Sequence, residues 1–296
     1  MLYNESMRRA LRAVEDALPH YLPDTDTLQG IVSEAMAYAC ESGGKRIRPV
    51  LLLEFCRICG GNVEDALPYA CAIEMIHSYS LVHDDLPCMD NSPLRRGKPS
   101  VHVKYGEDMA LLAGDALLNR AFECMLQPTV SPAISSERRL RAAFVLATAS
   151  GINGMVGGQV IDLQSENRII SMEELEALQD GKTAALIRAA CVMGCVLAGA
   201  DESTCLAADR FGREIGLCFQ IVDDILDVVS DEQTLGKPVH SDEENTKNTY
   251  VSLIGLDASR TLAKERTDKA LEALDRFGDA GQGLRHLAQA LLNRNA

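Results

Sequence analysis

The chain has 296 residues, 29 of them basic and 43 acidic, giving a net charge of −14. That acidity argues against a nucleic-acid partner, whose phosphates need a basic surface, and a 47% hydrophobic, 24% charged composition argues against disorder. Ten cysteines are too few for a disulfide scaffold and sit largely in apolar segments, as reduced thiols of a cytosolic protein do.

The N-terminus, Met1 to Ser6, lacks a basic-then-apolar signal pattern, and acids recur at Glu15 and Asp16. The longest apolar run, Ala189 to Ala200, is twelve residues, short of the about 20 needed to cross a bilayer. A soluble, cytoplasmic protein with no membrane span is expected.

Helical spacing dominates in chain order. Pro49 opens an apolar stretch, Val50 to Cys59, that Gly60-Gly61 closes. Ala66 to His83 is a second stretch, and Gly114 to Gln127 a third, stopped by Pro128. Ser171 and Glu174 form a capping box that starts a fourth. Phe211 to Val229 and Ser259 to Phe277 add two more. Loops are expected at Pro19 to Thr27, Asn91 to Pro99, Pro128 to Ser136 and Leu235 to Asn248. No linker or repeat interrupts the series, so residues 1–296 read as one all-α domain, a helical bundle.

Two acidic clusters stand out. His83-Asp84-Asp85-Leu86-Pro87-Cys88-Met89-Asp90 ends one apolar helix, and Gln220-Ile221-Val222-Asp223-Asp224-Ile225-Leu226-Asp227 lies within another. Asp223 and Asp227, four apart, share a helical face, where like charges repel unless a cation sits between them. Asp84 and Asp90 are about 240° apart on an ideal helix, so they converge only if Pro87 ends it. Hard oxygen ligands offered in ones and twos suit Mg²⁺.

Against this acidity the cations are grouped. Gly43-Gly44-Lys45-Arg46-Ile47-Arg48-Pro49 and Leu94-Arg95-Arg96-Gly97-Lys98 each place three within four residues. Lys and Arg beside glycine suit phosphate oxygens. Together with the acids they describe a site for two phosphorylated substrates, one held through metal and one directly. Cys56 and Cys59 lie within a helix with no second pair nearby, and read as core.

With these motifs the sequence resembles the trans-isoprenyl diphosphate synthases. Ala113-Gly114-Asp115-Ala116, Gly154 to Leu163 with Gly157-Gly158-Gln159, Gly181-Lys182-Thr183, Phe219 to Asp227 and Lys247-Asn248-Thr249-Tyr250 match in the same order. The resemblance implies a bundle around a central cavity and a homodimer. It implies condensation of isopentenyl diphosphate with dimethylallyl and geranyl diphosphate, with three Mg²⁺ ions. Asp84, Asp90, Asp223 and Asp227 would be metal ligands, and Asp85 and Asp224 ligands or their supports. Lys45, Arg48, His77 and Arg96 match residues that hold isopentenyl diphosphate; Arg95, Lys182, Lys237 and Lys247 match contacts to the allylic diphosphate. Thr183 and Gln220 match polar groups near the developing carbocation. His83 has no matching role and reads as structural.

Product length enters through Tyr79, five residues before Asp84. In the family a bulky aromatic there, with the insertion seen here as Pro87-Cys88, goes with a C15 product, farnesyl diphosphate. A small residue goes with C20, geranylgeranyl diphosphate, which is the alternative. Helix geometry instead puts Ser80 directly beneath Asp84, with Tyr79 to one side. A class I terpene cyclase is a weaker alternative: it takes one diphosphate and would leave Lys45 to Arg48 without a purpose.

Overall fold

The computed structural model describes residues 2–127, 130–229 and 248–294. Lys237 and Lys247 lie outside the described residues, as does most of the expected loop from Leu235 to Asn248. Among the described residues the chain is all-α apart from one small hairpin.

The first half comprises α1 (Glu5–Tyr21), α2 (Gly30–Glu41), α3 (Ile47–Ile58), α4 (Val63–Asp84), α5 (Val101–Tyr105), α6 (Glu107–Leu126) and α7 (Ser136–Ser150). The second comprises α8 (Met155–Ser165), α9 (Met172–Gln179), α10 (Ala185–Ala198), α11 (Glu202–Val229), α12 (Tyr250–Ile254), α13 (Leu256–Ala273) and α14 (Gln282–Leu292). A five-residue π-helical turn, Asp180–Ala184, joins α9 directly to α10. The hairpin pairs β1 (Leu94–Arg95) with β2 (Lys98–Pro99) in antiparallel register.

Local chemistry explains the ends that matter. Asn62 caps α4, accepting from the Glu64 N–H at 3.1 Å, and Glu64 and Asp65 favour its positive N-terminus. The Ser171–Glu174 capping box forms as expected, with reciprocal bonds of 2.9 and 3.1 Å. Buried α4 packs chiefly between α6 and α3; α3 packs on α10, α10 on α11 and α11 on α13. Gly114 permits the α4–α6 contact, since a Cβ there would sit 2.0 Å from the His83 ring. His83 Nε2 is 3.0 Å from the Leu111 carbonyl.

Several boundaries differ from expectation. α1 runs through Pro19, and its buried residues Met7, Ala10, Val14 and Leu18 recur at three and four rather than forming an unbroken run. α6 begins at Glu107 and α11 at Glu202, ahead of Gly114 and Phe211: apolar residues, Met109 to Ala113 and Cys205 to Ala208, already belong to each helix before the expected start. α13 ends at Ala273, where a 3₁₀ stretch with Gly278 at φ +50° takes over. The expected loop at Asn91 to Pro99 is the hairpin, turned by Arg96 (φ +54°) and Gly97 (φ +74°) in the left-handed region favoured by tight two-residue turns.

Two stretches, Ser136–Ser165 and Met172–Ala198, are long and apolar enough for a membrane span by length and composition. Counting only uninterrupted apolar residues passes over them. The first is broken between α7 and α8 at Gly151 to Gly154, and most of the second is buried in the core.

Candidate active site

The first aspartate cluster sits where α4 stops. Asp84 is the last helical residue, and Pro87 lies in a tight turn that reverses the chain. The Asp90 N–H donates to the Asp84 carbonyl at 2.9 Å, so Asp90 returns beside Asp84 as convergence requires. The two adjacent acids differ. Asp85 is only 3% exposed and is gripped by the Arg95 fork, with Nε at 3.1 Å and Nη2 on the other oxygen. Burial pushes the Asp85 pKa up while Arg95 pulls against it. Asp84 instead accepts from Gln159 Nε2 at 2.8 Å, with Lys182 Nζ 3.7 Å away.

The second cluster divides in the same way. Asp224, also buried, accepts from Gln220 Nε2 and from the Tyr250 N–H, both at 2.9 Å. That second bond explains the matched Asn248-Thr249-Tyr250 stretch: Thr249 and Ser252 cap α12 reciprocally, while Asn248 donates to the Ser165 and Arg168 carbonyls. Asp223 pairs with Arg294 near the C-terminus. Asp227 shares its face of α11 but is buried, 2% exposed.

The π-turn joins the clusters. Lys182 Nζ lies 2.6 Å from Asp162 as well as near Asp84. Burial opposes its charge, but Asp84, Asp162 and Asp90 outweigh burial and raise its pKa. Thr183 Oγ1 is 3.4 Å from Gln220 Oε1, which links the turn to Asp224. α8 approaches so closely that a Cβ on Gly158 would meet the Lys182 backbone nitrogen at 2.1 Å. A π-turn at this point is the kind of helix irregularity that recurs at functional sites.

The cations of Lys45 to Arg48 separate into two kinds. Arg46 is structural: it makes a buried ion pair with Glu74 at 2.6 Å and donates to the Cys40 carbonyl. Among the described residues, Lys45, Arg48 and Arg96 have no carboxylate within ion-pair distance, and the buried Arg48 Nε has no hydrogen-bond partner. Burial lowers the Arg48 pKa to about 10, with Arg96 adding to the effect. His77 is driven well below its usual value, first by burial and then by Arg48, Arg96 and Arg46. Arg96 donates to the Gly43 carbonyl, and Tyr3 to that of Lys45, so the hairpin and the N-terminus both brace this pocket. Guanidinium groups with no carboxylate partner among the described residues, set around a neutral imidazole, are suited to an anion.

Tyr79 is buried and meets the His83 ring edge-on at 5.7 Å. Ser80 turns its hydroxyl back to the His77 carbonyl at 2.7 Å. Gln159 and Asp162 lie in a matched stretch but were given no role there, and Arg294 and Tyr3 were not anticipated as part of the site. Gln159 and Asp162 carry a signal, being three apart on one face of α8 beside the matched Gly157-Gly158. Arg294 and Tyr3 carry none.

The polyprenyl synthetase family pattern matches residues 29–282. The chain belongs to this family. It is therefore a prenyltransferase. It is 43% identical over 267 residues to the farnesyl diphosphate synthase of Micrococcus luteus, covering 90% of each chain. It is 42% identical over 283 residues to the geranylgeranyl diphosphate synthase of Cyanophora paradoxa, covering 95% of this chain and 93% of that one. The fold is similar to a Helicobacter pylori geranyltransferase solved with magnesium and isoprenyl diphosphate, with a TM-score of 0.83 and 34% identity over 98% of this chain and 97% of that one. Prenyl-synthase membership and the all-α fold agree with the sequence-based expectation.

Proposed function

We propose that this prenyltransferase joins isopentenyl diphosphate to dimethylallyl and then geranyl diphosphate, giving farnesyl diphosphate in a Mg²⁺-dependent reaction. The observation that carries this reading is the set of cations, Lys45, Arg48 and Arg96, that have no carboxylate partner among the described residues, beside two carboxylate clusters. It calls for two anions, one met directly and one through metal.

Among the described residues no three His, Cys, Asp or Glu side chains form a ready-made metal cage. The donors are nevertheless all carboxylate oxygens, and each cluster already holds a cationic head, Lys182 at Asp84 and Arg294 at Asp223. That donor set fits Mg²⁺, which keeps places for water and phosphate oxygens. Asp84, Asp90, Asp223 and Asp227 would hold it, three ions in all, with Asp85 and Asp224 as supports turned to Arg95, Gln220 and the Tyr250 N–H. Bound Mg²⁺ supplies positive charge to the departing diphosphate.

The chain's own residues do the rest. Lys182 meets charge growing on the allylic diphosphate as its C–O bond breaks, Arg95 standing behind through Asp85. Thr183 and Gln220 turn oxygen towards the allylic cation. Lys45, Arg48, His77 and Arg96 fix isopentenyl diphosphate so that its alkene forms the new C–C bond. No side chain here is placed as a base; the released diphosphate takes the proton. Buried Tyr79 closes the prenyl pocket at C15. Exposed apolar side chains on α6 to α8, among them Leu112, Leu140, Phe144 and Val156, are covered by a second copy in a homodimer.

A C20 product is the second reading, favoured by the near-equal identity to relatives named for either product. Incubation with Mg²⁺, isopentenyl and geranyl diphosphates, then chromatography of the dephosphorylated product, tests both. Farnesol is expected. Geranylgeraniol as the main product would select the second reading, and no prenyl alcohol would overturn the activity.

A further inference from the structure

The π-turn has a second side. Asp180, its first residue, turns away from the aspartate clusters and accepts from Arg188 Nη1 at 3.2 Å, with Arg213 Nε at 3.3 Å. Each arginine is itself held. Arg188 forks onto Asp209 at 2.9 and 3.0 Å, and Arg213 reaches Glu176 at 2.7 Å. Arg266 closes the network, bonding to Glu176 at 2.7 Å and Glu214 at 3.2 Å. Four acids and three arginines from α9, the π-turn, α10, α11 and α13 thus form one continuous system. None of them has a part in the reaction described above.

Stability is a poor reason for such a network. Its partly exposed pairs stabilise little, and Glu214 and Arg266 pay a desolvation cost for burial. Geometry is a better one. A π-turn inside a helix persists when its surroundings over-determine it. On one face α8 presses Gly158 against the Lys182 backbone; on the other Asp180 is tied to arginines from two different helices. The turn is clamped from both sides.

We propose that Asp180 is a positioning residue: through Arg188 and Arg213 it fixes the π-turn so that Lys182 and Thr183 stay aimed at the ionising allylic diphosphate. This rests on the role given to Lys182 above, so the test treats the two separately.

Asp180→Ala, Lys182→Ala and the double variant are compared in single-turnover reactions of geranyl with isopentenyl diphosphate. Val14→Ala, a core truncation in α1, serves as a destabilised reference. Asp180→Ala is expected to lower the rate about 10- to 100-fold, the scale of an ångström misplacement. KM for geranyl diphosphate rises, KM for isopentenyl diphosphate stays within about twofold, and Val14→Ala keeps its rate despite a lower Tm. In the Lys182→Ala background Asp180→Ala costs much less than in the unaltered protein, only the share that acts through Thr183. Full activity in Asp180→Ala, or additive losses in the double variant, would overturn the positioning role while leaving Lys182's own role intact. Full activity in Lys182→Ala would overturn both.

Discussion

Arg294 donates to Asp223, and its guanidinium lies 4.9 Å from the Phe219 ring centroid, so a residue near the C-terminus occupies an aspartate of the second cluster. The pair is partly exposed and therefore weak, about 0.2–1 kcal/mol. It still competes with any metal for Asp223. Arg294→Ala should lower the Mg²⁺ concentration for half-maximal activity about 2- to 5-fold. An unchanged or higher requirement in a metal titration would show that Arg294 does not compete.

The paired aspartates should separate by phenotype. Asp84→Ala removes a carboxylate whose partners include a lysine and an amide at a partly exposed helix end, so turnover should fall at least about 10²-fold with Tm changed less than in Asp85→Ala. Asp85→Ala orphans the Arg95 fork and leaves a cavity in a buried place, and should cost about 1–3 kcal/mol of stability as well as activity. Equal Tm values for the two variants would contradict the division of roles.

Arg48 gives the opposite combination. It is a desolvated cation with no carboxylate partner among the described residues, so removing it relieves an unfavourable burial. Arg48→Ala should raise KM for isopentenyl diphosphate by at least about tenfold, the scale of a lost charge-assisted bond, without lowering Tm. The KM for the allylic substrate should change much less. A variant equally impaired for both substrates would speak against separate diphosphate sites.

His77 makes stability depend on pH. Its folded pKa lies below the unfolded value near 6.5. Below pH 6.5 the unfolded chain therefore takes up a proton that the folded one refuses. Stability is full above that pH and is lost as pH falls towards the folded value, by at most about 1.4 kcal/mol per unit. Melting curves at pH 7.5 and 5.5 should differ less in His77→Gln than in the unaltered protein. Diphosphate in the pocket would offset the surrounding arginines and shrink the difference too.

Tyr79→Ala should open the pocket floor and lengthen the product from C15 to C20 or beyond, read by chromatography of the dephosphorylated alcohols. Ser80→Ala should leave product length alone, since its hydroxyl is spent on the His77 carbonyl. An unchanged C15 product from Tyr79→Ala would place the floor elsewhere.

Much of the site was legible because its chemistry is local. Asp84 and Asp90, or Lys45 and Arg48, need only a few residues of sequence to be noticed, and Pro87 announces the turn that brings Asp90 back. The distinction between Asp84 and Asp85 was not legible, because it depends on Arg95, delivered by a hairpin whose strands are two residues each. Nor was the structural use of Arg46, whose partner Glu74 comes from the next helix. Apolar runs found the buried α4 well but missed α1, which shows the core only every third or fourth residue. Arg294 was out of reach altogether: nothing beside it in sequence hints at Asp223, 71 residues earlier.

The π-turn sets a register that runs through half the protein. An α-helix advances about 100° per residue, so dropping one residue from Asp180–Ala184 to restore ordinary helix would rotate everything before it by about that angle relative to α10. Glu176 would swing away from Arg213 and Arg266, the Ser171 cap would face a new direction, and α8 would no longer find the Lys182 backbone beneath Gly158. The extra residue works as a phase marker, keeping what lies on either side of it in step; length at this point is as much a part of the sequence's information as the lysine and threonine it displays.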